Sequence, residues 1–85
     1  MNITRQDIEK LAEAYGCSTW SRDLFHEAAE VLYATRGEER YEGDGAVFVE
    51  FGNCTLSYPD DAHVMEFGWV PEVIWSDGGC MKITA

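Results

Sequence analysis

The sequence predicts an α+β domain, residues 1–85, in which two N-terminal helices pack on one face of a four- to five-stranded antiparallel meander sheet, in the order ααββββ or ααβββββ. Three observations carry this expectation. Apolar residues recur with a helical period as far as Gly37, the period changes to two beyond Gly45, and the segments that follow are separated by short turn signals.

Thr4 is placed to cap a helix in which Ile8, Leu11, Ala12 and Tyr15 keep the i, i+3, i+4, i+7 spacing of one buried face, and Gly16 supplies a stop. Ser18, Thr19 or Ser21 can start a second helix. Its apolar stripe comprises Leu24, Phe25, Ala28, Val31 and Leu32, with Ala29 beside them, and Gly37 ends it. So short a connection makes the two helices packed neighbours.

Gly37 to Gly45 holds three glycines and four carboxylates and reads as a polar loop. Val47, Val49 and Phe51 then alternate as the inner face of a strand. Gly52-Asn53 has the chemistry of a two-residue hairpin turn with glycine first. Such a turn sets Phe51 opposite Cys54, Val49 opposite Leu56 and Val47 opposite Tyr58, so that the apolar residues of both strands share a face. Pro59 to Ala62 reads as a second turn, which places Met65 opposite Leu56 and Phe67 opposite Cys54 in a third strand. Pro71 confines the next run to an edge or a bend. Val73 to Trp75 and Cys80 to Thr84 form a last hairpin around Asp77-Gly78, with Trp75 on the face of Cys80 and Lys82.

The chain has 6 Lys plus Arg against 16 Asp plus Glu, a formal net charge of −10, and its 46% hydrophobic content argues against a disordered acidic tail. A domain this short buries only about 60% of the surface its unfolded chain exposes, which leaves little room for a large catalytic cleft. Arg5, Lys10, Arg22, Arg36, Arg40 and Lys82 are scattered and outnumbered, so direct binding of nucleic acid is not expected. No apolar stretch approaches the ~20 residues that span a bilayer. Met1 to Asp7 shows neither a basic segment followed by an apolar run nor a cleavage site, so a cytoplasmic protein is expected, as a monomer or a small homo-oligomer.

Metal ligation could draw on Cys17, His26, Cys54, His63 and Cys80, but zinc sites usually take ligands in close local pairs, and no two of these are nearer than nine residues. Cys54 falls on an apolar strand face, where a thiol is most often a small buried hydrophobe. The chain has no Gly-x-Ser-x-Gly, Ser-x-x-Lys, phosphate-loop or dinucleotide signature. Glu42, Asp44, Asp60 and Asp61 lack the alternating series of a calcium loop. Neither a cofactor nor an enzymatic activity is expected.

The carboxylates stand out most. Glu38, Glu39, Glu42 and Asp44 crowd the central loop, Asp60 and Asp61 share a turn, and Glu50 and Glu66 project from the outer faces of the first and third strands. Their fields overlap in so small a domain, where the Debye length is ~8 Å. Such a surface repels nucleic acid and attracts basic protein. Trp20, Trp69 and Trp75, with four tyrosines and four phenylalanines, exceed what the core can hide, so some aromatic surface should stay accessible. Glu66, Trp69, Glu72, Trp75 and Asp77 form the contact cluster expected outside the central loop, since aromatic anchors ringed by polar groups are a usual interface composition.

The acidic Gly37 to Gly45 segment, the Asp60-Asp61 turn, the short length and the absence of catalytic motifs make the whole chain resemble small, acidic phage-encoded inhibitors of the anti-CRISPR type. Many such inhibitors cover the basic nucleic-acid channel of a bacterial defence nuclease or prevent recruitment of a subunit. The resemblance implies a protein-binding inhibitor acting in the host-cell cytoplasm, and it carries over no individual residue. Acidic immunity proteins that neutralise a toxin nuclease are similar on the same grounds. Two alternatives from other classes are a small thiol or zinc protein using the cysteines and histidines above, and an acidic docking subunit of a larger complex.

Overall fold

Thr4 and Asp7 close the first turn of helix α1 (Arg5–Cys17) on each other. The Thr4 amide donates to Asp7 Oδ2 at 2.7 Å, and the Asp7 amide donates to Thr4 Oγ1 at 3.3 Å, a reciprocal cap. Ile8, Leu11 and Tyr15 line the buried face as their spacing predicts, and the helix runs past Gly16 to Cys17. The computed structural model describes residues 1–17 and 23–84, so the expected roles of Ser18, Thr19, Ser21 and Trp20 lie outside the described residues. Helix α2 (Asp23–Arg36) buries Phe25, Ala29 and Leu32. Leu24 and Val31, expected in its buried stripe, are exposed, because the sheet meets α2 along the Phe25 line and leaves its flank uncovered.

Strands β1 (Glu39–Gly43), β2 (Ala46–Glu50), β3 (Cys54–Pro59), β4 (Glu72–Trp75) and β5 (Cys80–Lys82) form one antiparallel sheet in sequential order, and a short helix α3 (Ala62–Glu66) interrupts the meander between β3 and β4. The architecture is α+β as expected. The β2–β3 register is the one Gly52-Asn53 predicts, with Val47 opposite Tyr58 and Val49 opposite Leu56, and the Phe51 amide donating to the Cys54 carbonyl at 2.8 Å. Val47, Val49, Leu56, Tyr58 and Val73 therefore face the helices. Phe25 meets Tyr15 and Tyr58 edge-on, with ring centroids 6.2 Å and 5.3 Å apart. No helix among the described residues is long and apolar enough to cross a membrane.

Three expectations about the sheet are overturned. The Gly37 to Gly45 segment is not a loop but contains β1, an edge strand. Asp44 and Gly45, at φ 55° and 79°, make a tight hairpin turn that pairs Gly43 with Ala46 and Tyr41 with Phe48. Nor is residues 63–67 a third strand. Asp61 accepts the His63 amide at 2.9 Å as the N-cap of α3, and Met65 reaches the core from that helix while Phe67 stays 77% exposed. The strand beside β3 is β4, which puts Val73 opposite Leu56 and Trp75 opposite Cys54. Trp75 consequently shares a face with Val73 and Met81, whereas Cys80 lies opposite Ile74 and Lys82 opposite Glu72 on the other face.

The chain start is bound into this frame. Asn53 Oδ1 accepts the Ile3 amide at 3.1 Å, and Asn53 Nδ2 donates to the Ile3 carbonyl at 3.0 Å, so one side chain satisfies both backbone groups. Gly52 donates to the Met1 carbonyl, and a Cβ there would lie 2.4 Å from Asn2 Oδ1. Close approach, rather than a left-handed conformation, is what the turn asks of that glycine.

Asp7 is a charged residue buried beside the core, and it pairs with Arg36 from the last turn of α2. Burial pushes its carboxyl up, but hydrogen bonds from Thr4 and the Arg36 guanidinium outweigh this and hold it below the usual carboxylate range. The folded value is thus depressed, so this contribution is full above the unfolded-state pKa and is lost as pH falls through the folded one. Asp7→Asn should lower stability to urea at neutral pH by about 0.5–2 kcal/mol, the range for a lost cap. The two unfolding curves should converge in acid, and an unchanged midpoint at neutral pH contradicts this account.

Candidate protein-binding surface

Because the helices cover one face of the sheet, the side chains at alternate positions of every strand have no helix or strand layer above them among the described residues. The registers arrange them in two cross-strand rows. One contains Glu39, Glu50, Thr55, Ile74 and Cys80, and the other Tyr41, Phe48, Ser57, Glu72 and Lys82. Tyr41 and Phe48 stack at 5.1 Å with their planes 17° apart, and both Tyr41 and Ile74 remain more than 40% exposed. At the edge of this face, Trp69, 54% exposed, lines a groove of about 270 Å³ with Ala46, Ser57, Pro59, Glu72 and Lys82.

Carboxylates frame the aromatic pair. Glu39 stands directly opposite Glu50, a like-charge pair of the kind that destabilises a sheet. Hydrogen bonding to Glu39 raises the Glu50 pKa first, with burial and the charges of Glu39 and Glu38 adding to the shift. At the other end of the sheet the Asp60 amide donates to the Gly45 carbonyl at 2.9 Å, which brings the Asp44 and Asp60-Asp61 turns side by side. The charge is also unevenly divided along the chain. Residues 1–36 carry four basic and six acidic side chains, net −2, and residues 37–85 carry two basic and ten acidic, net −8.

The residues singled out from sequence separate into groups. Glu38 is 3.1 Å from the N-terminal ammonium, beside the Glu39–Glu50 pair. Glu42 lies on the helix side of β1, 3.4 Å from Arg40, which is held at 2.8 Å by Glu30 of α2. Asp61 is engaged as the α3 cap, and Glu66, on α3 rather than on a strand, lies 3.6 Å from His63. Of the cluster Glu66, Trp69, Glu72, Trp75 and Asp77, the fold brings Trp69 and Glu72 into one groove. Trp75 sits on the opposite face of the sheet in a groove with Ile8 and Met81, and Asp77 accepts the Gly79 amide inside the β4–β5 turn. Tyr41, Phe48 and Ile74 were missed. Phe48 was legible as the outward residue of a strand that alternates strictly, but its stacking on Tyr41 depends on recognising the Asp44-Gly45 hairpin.

Cys17 and Cys80 are exposed and Cys54 is buried, and burial pushes the Cys54 thiol up to about 11. Among the described residues no group of three or more His, Cys, Asp or Glu is placed to hold a metal ion. Comparison with protein-family models, curated proteins and solved structures finds no match for this chain.

Two measurements check this geometry. In a thiol titration at mildly alkaline pH, Cys54 should react only when the protein is unfolded, and rapid reaction in the native state contradicts its burial. The folded pKa of Glu50 lies above its unfolded value, so stability is lost as pH rises through the folded value. Glu50→Gln should therefore raise the urea midpoint at neutral pH and leave it unchanged in acid, where Glu50 is protonated anyway. A lowered neutral-pH midpoint contradicts the repulsion.

Proposed function

We propose that this chain is a non-enzymatic, acidic protein-binding inhibitor that occupies a basic, nucleic-acid-binding surface of a partner such as a CRISPR effector subunit or another defence nuclease. The observation that carries this reading is the concentration of negative charge in the sheet-forming segment, around a sheet face that the fold leaves uncovered and furnishes with stacked aromatics. Glu38, Glu39 and Glu50 at one end, Glu72 beside the Trp69 groove, and Asp44, Asp60 and Asp61 at the far turns compete with phosphates for a basic channel. Their field accelerates encounter, while burial of Tyr41, Phe48, Ile74 and Trp69 slows dissociation. The protein acts in the cytoplasm, that of the host cell if it is phage-encoded.

The test is a nucleic-acid binding and cleavage assay on purified CRISPR effector complexes and other defence nucleases, with this protein as the competitor. An inhibited enzyme should release its nucleic acid on addition of the wild type. Inhibition should weaken as salt rises and fall at least about tenfold, or 1.4 kcal/mol, for the Glu38→Lys/Glu39→Lys/Glu50→Lys variant. Inhibition that ignores both salt and charge reversal contradicts the mechanism. Binding without inhibition instead indicates an acidic docking subunit.

A further inference from the structure

We propose that the groove between α1 and α2 is where two copies of this chain pair, as a two-fold dimer built helix pair on helix pair. The groove holds about 520 Å³. Its α2 side carries Leu24, Ala28 and Val31 at i, i+4 and i+7, a ridge of the kind that interdigitates with another helix, and its inner wall is formed by Leu11 and Leu32. Leu24 is 48% and Val31 63% exposed, so the single chain leaves this ridge in water beside the buried Phe25, Ala29 and Leu32 of the same helix.

The charges on the walls select the occupant. Lys10 stands on the α1 side and Glu27 on the α2 side, and neither has an ion-pair partner among the described residues. A two-fold axis through the groove sets Lys10 of each copy against Glu27 of the other, so one patch is complementary to itself, as a two-fold interface requires. A basic partner of the kind proposed for the sheet finds little field here, because residues 1–36 carry a net −2 with both signs interspersed. The carboxylates of the open face do not prevent the pairing. The shortest dimension of the molecule is 24 Å, which exceeds a Debye length of ~8 Å at physiological ionic strength. Dimerisation through this groove buries the helical flank and leaves both acidic sheet faces outward, each free for its own partner. The inference does not depend on the proposed inhibitory function.

Sedimentation equilibrium of the full chain tests it, from about 1 to about 300 μM in about 0.15 M salt, with circular dichroism to verify that each variant is folded. The wild type should reach twice the 9.6 kDa monomer mass. Val31→Glu, at an exposed position, and Lys10→Glu should each weaken the dimer at least about tenfold. The reciprocal Lys10→Glu/Glu27→Lys variant should restore it to within about threefold, which general damage to the helices would not do. A monomer throughout this range overturns the proposal. So does a dimer indifferent to Val31→Glu, or a reciprocal variant that stays as weak as Lys10→Glu alone.

Discussion

Val47 lies opposite Tyr58 and Val49 opposite Leu56, and this register, set by the two-residue turn at Gly52-Asn53, commits one face of the sheet to the helices and the other to water. A slip of one residue would exchange the faces and bring Glu50 and Ser57 under Phe25. The same turn receives the chain start through Asn53 and Gly52, and the Asn53 carbonyl accepts the Ser76 amide from the β4–β5 hairpin. Sheet register, N-terminal anchoring and the last hairpin therefore share one small element. With helices of 13 and 14 residues the chain has enough helix to roof a single face. The open face follows from that shortage.

Much of the framework was legible because its signals are local and agree with one another. Thr4, Ile8, Leu11 and Tyr15 specify α1 by capping and spacing, and the alternation through Phe51 with Gly52-Asn53 specifies both the second hairpin and its inward residues. The errors arose where two local signals competed. In Gly37 to Gly45 the density of carboxylates and glycines suggested a loop, although Asp44-Gly45 is among the strongest short hairpin signals, and strand pairing prevailed. Met65 and Phe67 matched a strand period, but Asp61 caps a helix there and the exposed Phe67 shows that the alternation carried no packing meaning. In α2, periodicity admitted Leu24 and Val31 to the stripe, since it defines a wide arc and does not say where along that arc the sheet will make contact.

The candidate binding surface was less legible than the fold because it is assembled across strands. Glu39 and Glu50 are distant in sequence and become a repulsive pair only in the observed register. Glu42, three residues from Glu39, is turned to the helix side and partly neutralised by Arg40. Trp69 and Trp75 flank the same strand, yet one borders the open face and the other faces α1. The acidic excess itself was plain in the composition. What folding adds is its separation from a helical flank of nearly balanced charge, so that a molecule of 32 × 28 × 24 Å presents two chemically distinct sides.

That division of labour is the central claim, and carboxyl labelling of the free and partner-bound protein, read by mass spectrometry, addresses it residue by residue. A water-soluble carbodiimide with a small amine modifies accessible Asp and Glu side chains wherever they lie. The account predicts that binding to the inhibited nuclease shields Glu39, Glu50 and Glu72 on the open sheet face, while Glu9 and Glu13 of α1 remain labelled as in the free protein. Shielding of the helical carboxylates, with the sheet carboxylates still reactive, would contradict it.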